Sequence, residues 1–222
     1  MKGIIILLLM ILAAALPAIL VFFWFRAKKT EVTLPWFLVS LAAGIISLLA
    51  AAIIQSIFPP FIKDGQSGLG PVFFGIFIRI ALVEETSRFL ILFPVIKTSM
   101  RSSRINSSFA ASLGLAAGLG FAMIESASYG MANINITLLR IFTTAPLHGA
   151  CGIRAGTTVF IIPRQPLKAA FYFLSAVLIH GAYNLMIVSP ALPSALAIPI
   201  ALIAFLGSLH LLESASREND NI

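Results

Sequence analysis

Two adjacent carboxylates and an arginine, Glu84, Glu85 and Arg88, stand inside a run from Leu69 to Ile96 that is otherwise mostly apolar. Three later segments carry groups of the same kind: Glu125 in a stretch of small residues, His148 two residues after Pro146, and His180 four residues before Asn184. Together these are the side chains of hydrolysis. A carboxylate takes a proton from water, imidazoles donate to a developing oxyanion or bind a metal, and an amide orients a carbonyl.

Their setting makes them unusual. An ionised side chain at the centre of a membrane helix costs about 2.5–3.5 kcal/mol on insertion scales, so Glu84, Glu85 and Arg88 facing lipid unpaired would cost on the order of 8–10 kcal/mol. Helical spacing offers relief, because Arg88 lies four residues from Glu84 and three from Glu85 and can reach either. One guanidinium cannot neutralise two carboxylates, so one of the pair must be perturbed or engaged elsewhere. Arg79 counts to roughly 140° from Glu84 at 100° per residue and serves another contact. The segment reads as a buried polar site within a membrane bundle.

The elements that must position this site follow from composition. The chain has 222 residues, is 59% hydrophobic and 10% charged, and has a mean hydropathy of +1.03. A soluble domain cannot hide so much apolar surface, and several runs exceed the length needed to cross a bilayer. The expected fold is all-α, a polytopic transmembrane helical bundle forming one integral membrane domain over 1–222. Its seven spans fall near 3–25, 34–58, 69–96, 109–132, 136–161, 167–189 and 191–212. The first is too long for a signal-peptide core and reads as an uncleaved span.

The net charge of +7 does not imply nucleic acid, because the basic residues outside the spans cluster in connectors. Arg26, Lys28, Lys29, Lys97, Arg101, Arg104, Arg164, Lys168 and Arg217 fall on one side, and only Lys2 and Lys63 on the other. The positive-inside rule then places the N-terminus outside and the C-terminus in the cytoplasm. The single Cys151 excludes an intramolecular disulfide and reads as a small apolar filler.

Span four is rich in small residues. Gly114 and Gly118 form a G-x-x-x-G pair that permits close helix contact, and Glu125 lies on that same packing face. At ~1.5 Å rise per residue, the polar groups of spans three to six fall near the midplane or toward the outer side. Singly, each has a bland reading: a structural ion pair for Glu/Arg, an interhelical hydrogen bond for a membrane histidine. His210 stands alone near the end of span seven and reads as interfacial. The joint occurrence at one depth lifts the site above its parts.

The motifs also resemble a known family. Glu84-Glu85-Thr86-Ser87-Arg88, Phe121 through Glu125, His148-Gly149 and His180 through Asn184 occur in the order and spans of the PrsW-type intramembrane proteases. That family is similar to the group holding the CAAX-prenyl and bacteriocin-processing membrane proteases. The resemblance covers spans three to six. It implies that Glu84 or Glu85 activates water, that His148 and His180 are electrophilic or ligand groups, that Asn184 supports the oxyanion, and that Arg88 holds the glutamate pair. Compared with the CAAX-prenyl pattern, two residues rather than three separate Glu85 from Arg88, and Glu125 takes the place of a histidine.

Glutamate-activated water without a required cofactor is the expected mechanism. Glu125, His148 and His180 would nevertheless suffice as ligands for a divalent metal such as zinc, with a fourth position for water. No H-E-x-x-H supports that alternative. The resemblance implies a multi-pass protein of the cell membrane whose partners are the lipid bilayer and membrane-protein substrates, such as a single-span anti-sigma-like protein cut on the extracytoplasmic side. The rival readings are a proton- or cation-coupled transporter, against which the lack of inverted repeats counts, and a catalytically inactive scaffold.

Overall fold

The computed structural model describes residues 2–58, 69–102, 106–130, 134–189 and 192–217. Lys63 and Arg104, which contribute to the charge asymmetry, lie outside them. All regular structure among the described residues is helical, as expected. Helix α1 (Lys2–Ala14) runs into α2 (Leu16–Ala27). Pro17 cannot donate to the ladder. The neighbouring bonds persist, from Ala15 N–H to Ile11 O (2.9 Å) and from Ile19 N–H to Ala15 O (3.0 Å), so the two pieces form one apolar rod. It is followed by Lys29, which adopts a left-handed φ of 51°, and by α3 (Leu34–Ile57).

The third stretch departs from a uniform helix. Helix α4 (Leu69–Phe74) passes into a π-helical segment, Gly75–Leu82, which feeds α5 (Val83–Ser102). Helices α6 (Ser107–Gly130), α7 (Ile134–Ile161) and α8 (Pro166–Val188) follow. The last expected span starts later than position 191. Pro193 is extended, a 3-10 turn covers Ser194–Leu196, and α9 runs over Ala197–Arg217. Among the described residues, five helical stretches are long and apolar enough to cross a membrane: Gly3–Ala27, Leu34–Ile57, Ser107–Gly130, Pro166–Val188 and Ser194–Glu213. The remaining two long stretches carry several charges within the helix, Arg79, Glu84, Glu85 and Arg88 on one and Arg140 and Arg154 on the other.

Helix α6 is the axis of the bundle, and its small residues explain why. A Cβ at Gly114 would run into the carbonyl of Gly152, and one at Gly118 into the carbonyl of His148. From the facing helix, Gly156 meets the carbonyl of Ala110 in the same way. On the opposite side, Gly120 meets Leu41 O and Gly44 of α3 meets Ala117 O. In lipid there is no hydrophobic gain from bringing two apolar helices together, so van der Waals contact between close backbones carries association. The G-x-x-x-G pair of α6 is thus answered by a second one, Gly152 and Gly156 on α7. This contact also fixes the site, because the backbone against which Gly118 packs is that of His148 itself. Any larger residue at 118 would push the histidine away.

Candidate active site

Glu84 and Glu85 lie in the first turn of α5, immediately after the π-helical segment. Such segments are rare and recur at functional sites. A π turn winds less per residue than an α turn, so the angular count that separates Arg79 from Glu84 does not apply across it. Arg79 reaches the end of α3, donating from Nη2 to Gln55 O at 2.7 Å, while the Gln55 side chain donates from Nε2 to Glu84 Oε1 at 3.2 Å. Across the bundle, Gly181 leaves room for the ring of Phe77, which lets α8 approach the π segment beside His180.

Arg88 selects Glu85 rather than Glu84. Its Nη1 pairs with Glu85 Oε2, and Glu85 Oε1 lies 2.7 Å from His180 Nδ1. Its Nη2 lies 3.0 Å from His148 Nδ1, and its guanidinium stands 4.4 Å over the ring of Phe121. A guanidinium only donates, so Nδ1 of His148 is the acceptor and the ring proton sits on Nε2. That Nε2–H donates to Glu125 Oε2 at 2.8 Å. Arg140 Nη2 reaches the same oxygen at 2.8 Å and lies over Tyr129. A single chain of contacts therefore runs from Gln55 through Glu84, His180, Glu85, Arg88, His148 and Glu125 to Arg140. The Glu125 end approaches the surface, with 19% of that side chain accessible against 1% for Glu85.

Three carboxylates meet two guanidiniums in this chain, so one negative charge has no arginine. Geometry assigns it to Glu84. Its Oε2 is buried, takes no hydrogen bond from the described residues, and stands 3.5 Å from His180 Nε2. Glu85, already paired with Arg88, accepts the Nδ1–H of His180, which turns Nε2 toward Glu84. A carboxylate oxygen and an imidazole lone pair do not face each other bare at that distance. A proton on one of them, a water or a cation must lie between.

That corner also suits a metal. Glu84, His148 and His180 are buried and offer one ligand atom each within 4.8 Å of one another. The orphaned Glu84 Oε2 and the directed Nε2 of His180 fit the role as they stand. His148 has partners on both ring nitrogens and would exchange one of them. The carboxylate in this cluster is Glu84, where the sequence suggested Glu125; Glu125 instead holds His148 from behind, together with Arg140.

Asn184 is half-buried, one turn beyond His180 on α8, and makes no hydrogen bond among the described residues. His210 is exposed, and Cys151 is buried with its Sγ 3.6 Å from Ala176 O. Two members of the network were not assigned a role from sequence. Gln55 is the lone amide in an otherwise apolar or serine-bearing span, and Arg140 is a charge one turn and a half before Pro146. In both cases a polar side chain within a membrane helix was the available signal.

Neither curated proteins nor solved structures give a match to this chain. The family described as PrsW family intramembrane metalloprotease matches residues 32–210, a range that holds every residue of the network, and the chain belongs to that family of multi-pass membrane proteases.

Proposed function

We propose that this protease cuts its membrane-protein substrates at the corner formed by Glu84 and His180, with Glu84 as the group that activates water. The observation that carries the reading is the asymmetry within the glutamate pair. Both oxygens of Glu85 are taken, whereas Oε2 of Glu84 is buried and takes no hydrogen bond among the described residues. Leaving such an atom unsatisfied costs stability, a cost a reaction can use. Glu84 Oε2 accepts the proton of the attacking water and returns it to the departing amine. Glu85 keeps His180 in one ring orientation through Nδ1, and Nε2, when protonated, donates to the oxyanion of the tetrahedral intermediate. Asn184 has an uncommitted amide on the same helix face and supplies a second donor. Arg88 balances Glu85 and grips His148 from one side, while Glu125 and Arg140 grip it from the other.

The ligand cluster and the family's description favour a second, metal-dependent form of hydrolysis, in which Glu84 and His180 serve as ligands in place of proton acceptor and oxyanion donor. Glu84, His148 and His180 would hold a divalent ion such as zinc, which when bound supplies Lewis acidity toward water and the scissile carbonyl. The test is cleavage of a quenched transmembrane peptide by purified protein. Exhaustive chelation is expected to remove activity and zinc to restore it. Undiminished cleavage after chelation, with less than one metal per chain, would leave glutamate-activated water alone.

Nine of the eleven basic residues at or beyond the span ends fall on one side, which supports seven crossings with the N-terminus outside. The site then opens toward the outer half of the bilayer, suited to a single-span anti-sigma-like substrate. Single cysteines at Ser194 and Gln165, in a Cys151→Ala background, are expected to label from outside and inside respectively. The reverse pattern would invert the orientation.

A further inference from the structure

The geometry points to Gln55 as the residue that positions Glu84 for the reaction, itself held in place by Arg79. This inference rests on reading Glu84 as the water-activating group. Around Gln55 the end of α3 is apolar and outward-facing: Ile53, Ile54, Ile57 and Phe58 are all exposed, while Gln55 is half-buried. Its amide donates to Glu84 Oε1 at 3.2 Å, which leaves Oε2 to face His180. The two oxygens of a carboxylate are chemically equivalent, so something external must decide which one points into the site. Arg88, four residues on, is the competing partner. A Glu84 free to turn toward it would join the saturated part of the network and lose the uncommitted oxygen.

Gln55 is held in turn. It sits in the last turn of α3, where backbone carbonyls have no partner within the helix. Arg79 supplies donors from the π segment: Nη2 to Gln55 O at 2.7 Å, and Nη2 and Nε to Phe58 O at 3.2 and 3.3 Å. A cation is electrostatically favoured at a helix C-terminus. The contacts close a ring, from Glu84 to the Gln55 side chain, from the Gln55 backbone to Arg79, and back along five residues of chain to Glu84. The π-helical segment makes the ring possible, because its winding brings Arg79 and Glu84 to the same neighbour.

The competing explanation is simple capping, in which Arg79 and Gln55 only fasten α3 to its neighbour. The two are separated by kcat, KM and thermal midpoint for Gln55→Met, Gln55→Asn, Arg79→Lys, the Gln55→Met/Arg79→Lys double variant and Glu84→Gln. Met keeps the length of Gln without the donor, and Asn draws the donor back by one methylene. A displacement of about 1 Å at a reacting group costs on the order of 10²-fold in rate. Gln55→Met is therefore expected to lose about 10–100-fold in kcat, with KM within about twofold, which is the signature of a contact that matters in the transition state. Gln55→Asn should lose less, in the same direction, and decides the matter if Gln55→Met does not fold. Because Arg79 acts through Gln55, the double variant should be no slower than Gln55→Met alone.

Wild-type kcat in folded Gln55→Met or Gln55→Asn, or losses that add in the double variant, would overturn the inference. If Glu84→Gln is inactive while the Gln55 variants cleave normally, only the positioning role fails. If Glu84→Gln itself cleaves at the wild-type rate, the reading of Glu84 fails and the inference with it.

Discussion

Glu85 and Glu84 are neighbours in sequence and opposites in structure. On the Glu85 side, through Arg88 and His148 to Glu125 and Arg140, carboxylate oxygens meet guanidiniums and both nitrogens of His148 are committed. The gaps there are the Nε–H groups of Arg88 and Arg140, on cations whose charge is already met. On the Glu84 side, a carboxylate oxygen is buried, an imidazole nitrogen points at it, and neither that oxygen nor the amide of Asn184 makes a hydrogen bond among the described residues. A polar cluster in a membrane can thus be divided by saturation. The saturated part is scaffold, and the unsaturated part is where chemistry finds free valences. Breaking a buried ion pair leaves a bare charge and typically costs 3–5 kcal/mol, whereas removing a charge that no guanidinium balances costs the fold little.

The largest effect expected is therefore on the saturated side. Arg88→Ala strips Glu85 and His148 of a shared partner and should destabilise by about 3–5 kcal/mol. The readout is loss of folded, membrane-inserted protein and a lower thermal midpoint. A variant that folded with wild-type yield and midpoint would erase the distinction between the two sides. Asn184→Ala tests the other side. It breaks no hydrogen bond among the described residues, so its midpoint should hold, while turnover falls by roughly 10²–10³-fold if the amide contacts the oxyanion. A fall in stability without a fall in turnover per folded molecule would return Asn184 to the scaffold.

The bundle was legible in the sequence because apolar run length and small-residue spacing report directly on what lipid demands. Glu125 fell on the packing face by counting along α6, and the arithmetic of two carboxylates and one arginine already required one glutamate to be perturbed or engaged elsewhere. What the sequence left open was which one. Arg88 lies within helical reach of both, and the choice depends on His180 and Gln55, which approach from α8 and α3. The π-helical segment was hidden for a different reason. It changes the winding without changing composition, so Gly75–Leu82 reads as ordinary apolar helix until the backbone is seen. The carboxylate of the ligand cluster shifted from Glu125 to Glu84 because Arg140, unassigned by spacing, occupies Glu125.

Whether Glu84 is the reacting carboxylate and Glu85 its scaffold is decided by one paired measurement. Thermal midpoint and cleavage rate per folded molecule are determined for Glu84→Gln and Glu85→Gln side by side. Glutamine keeps the shape and cannot take the proton. Glu84→Gln should lose at least ~10²-fold in rate, the low end for a general base, with a midpoint equal to or above wild type. Glu85→Gln should lower the midpoint, because Arg88 is left as an uncompensated buried cation. The opposite assignment, a stable but inactive Glu85→Gln beside an unstable Glu84→Gln that still cleaves, would exchange the roles of the two glutamates.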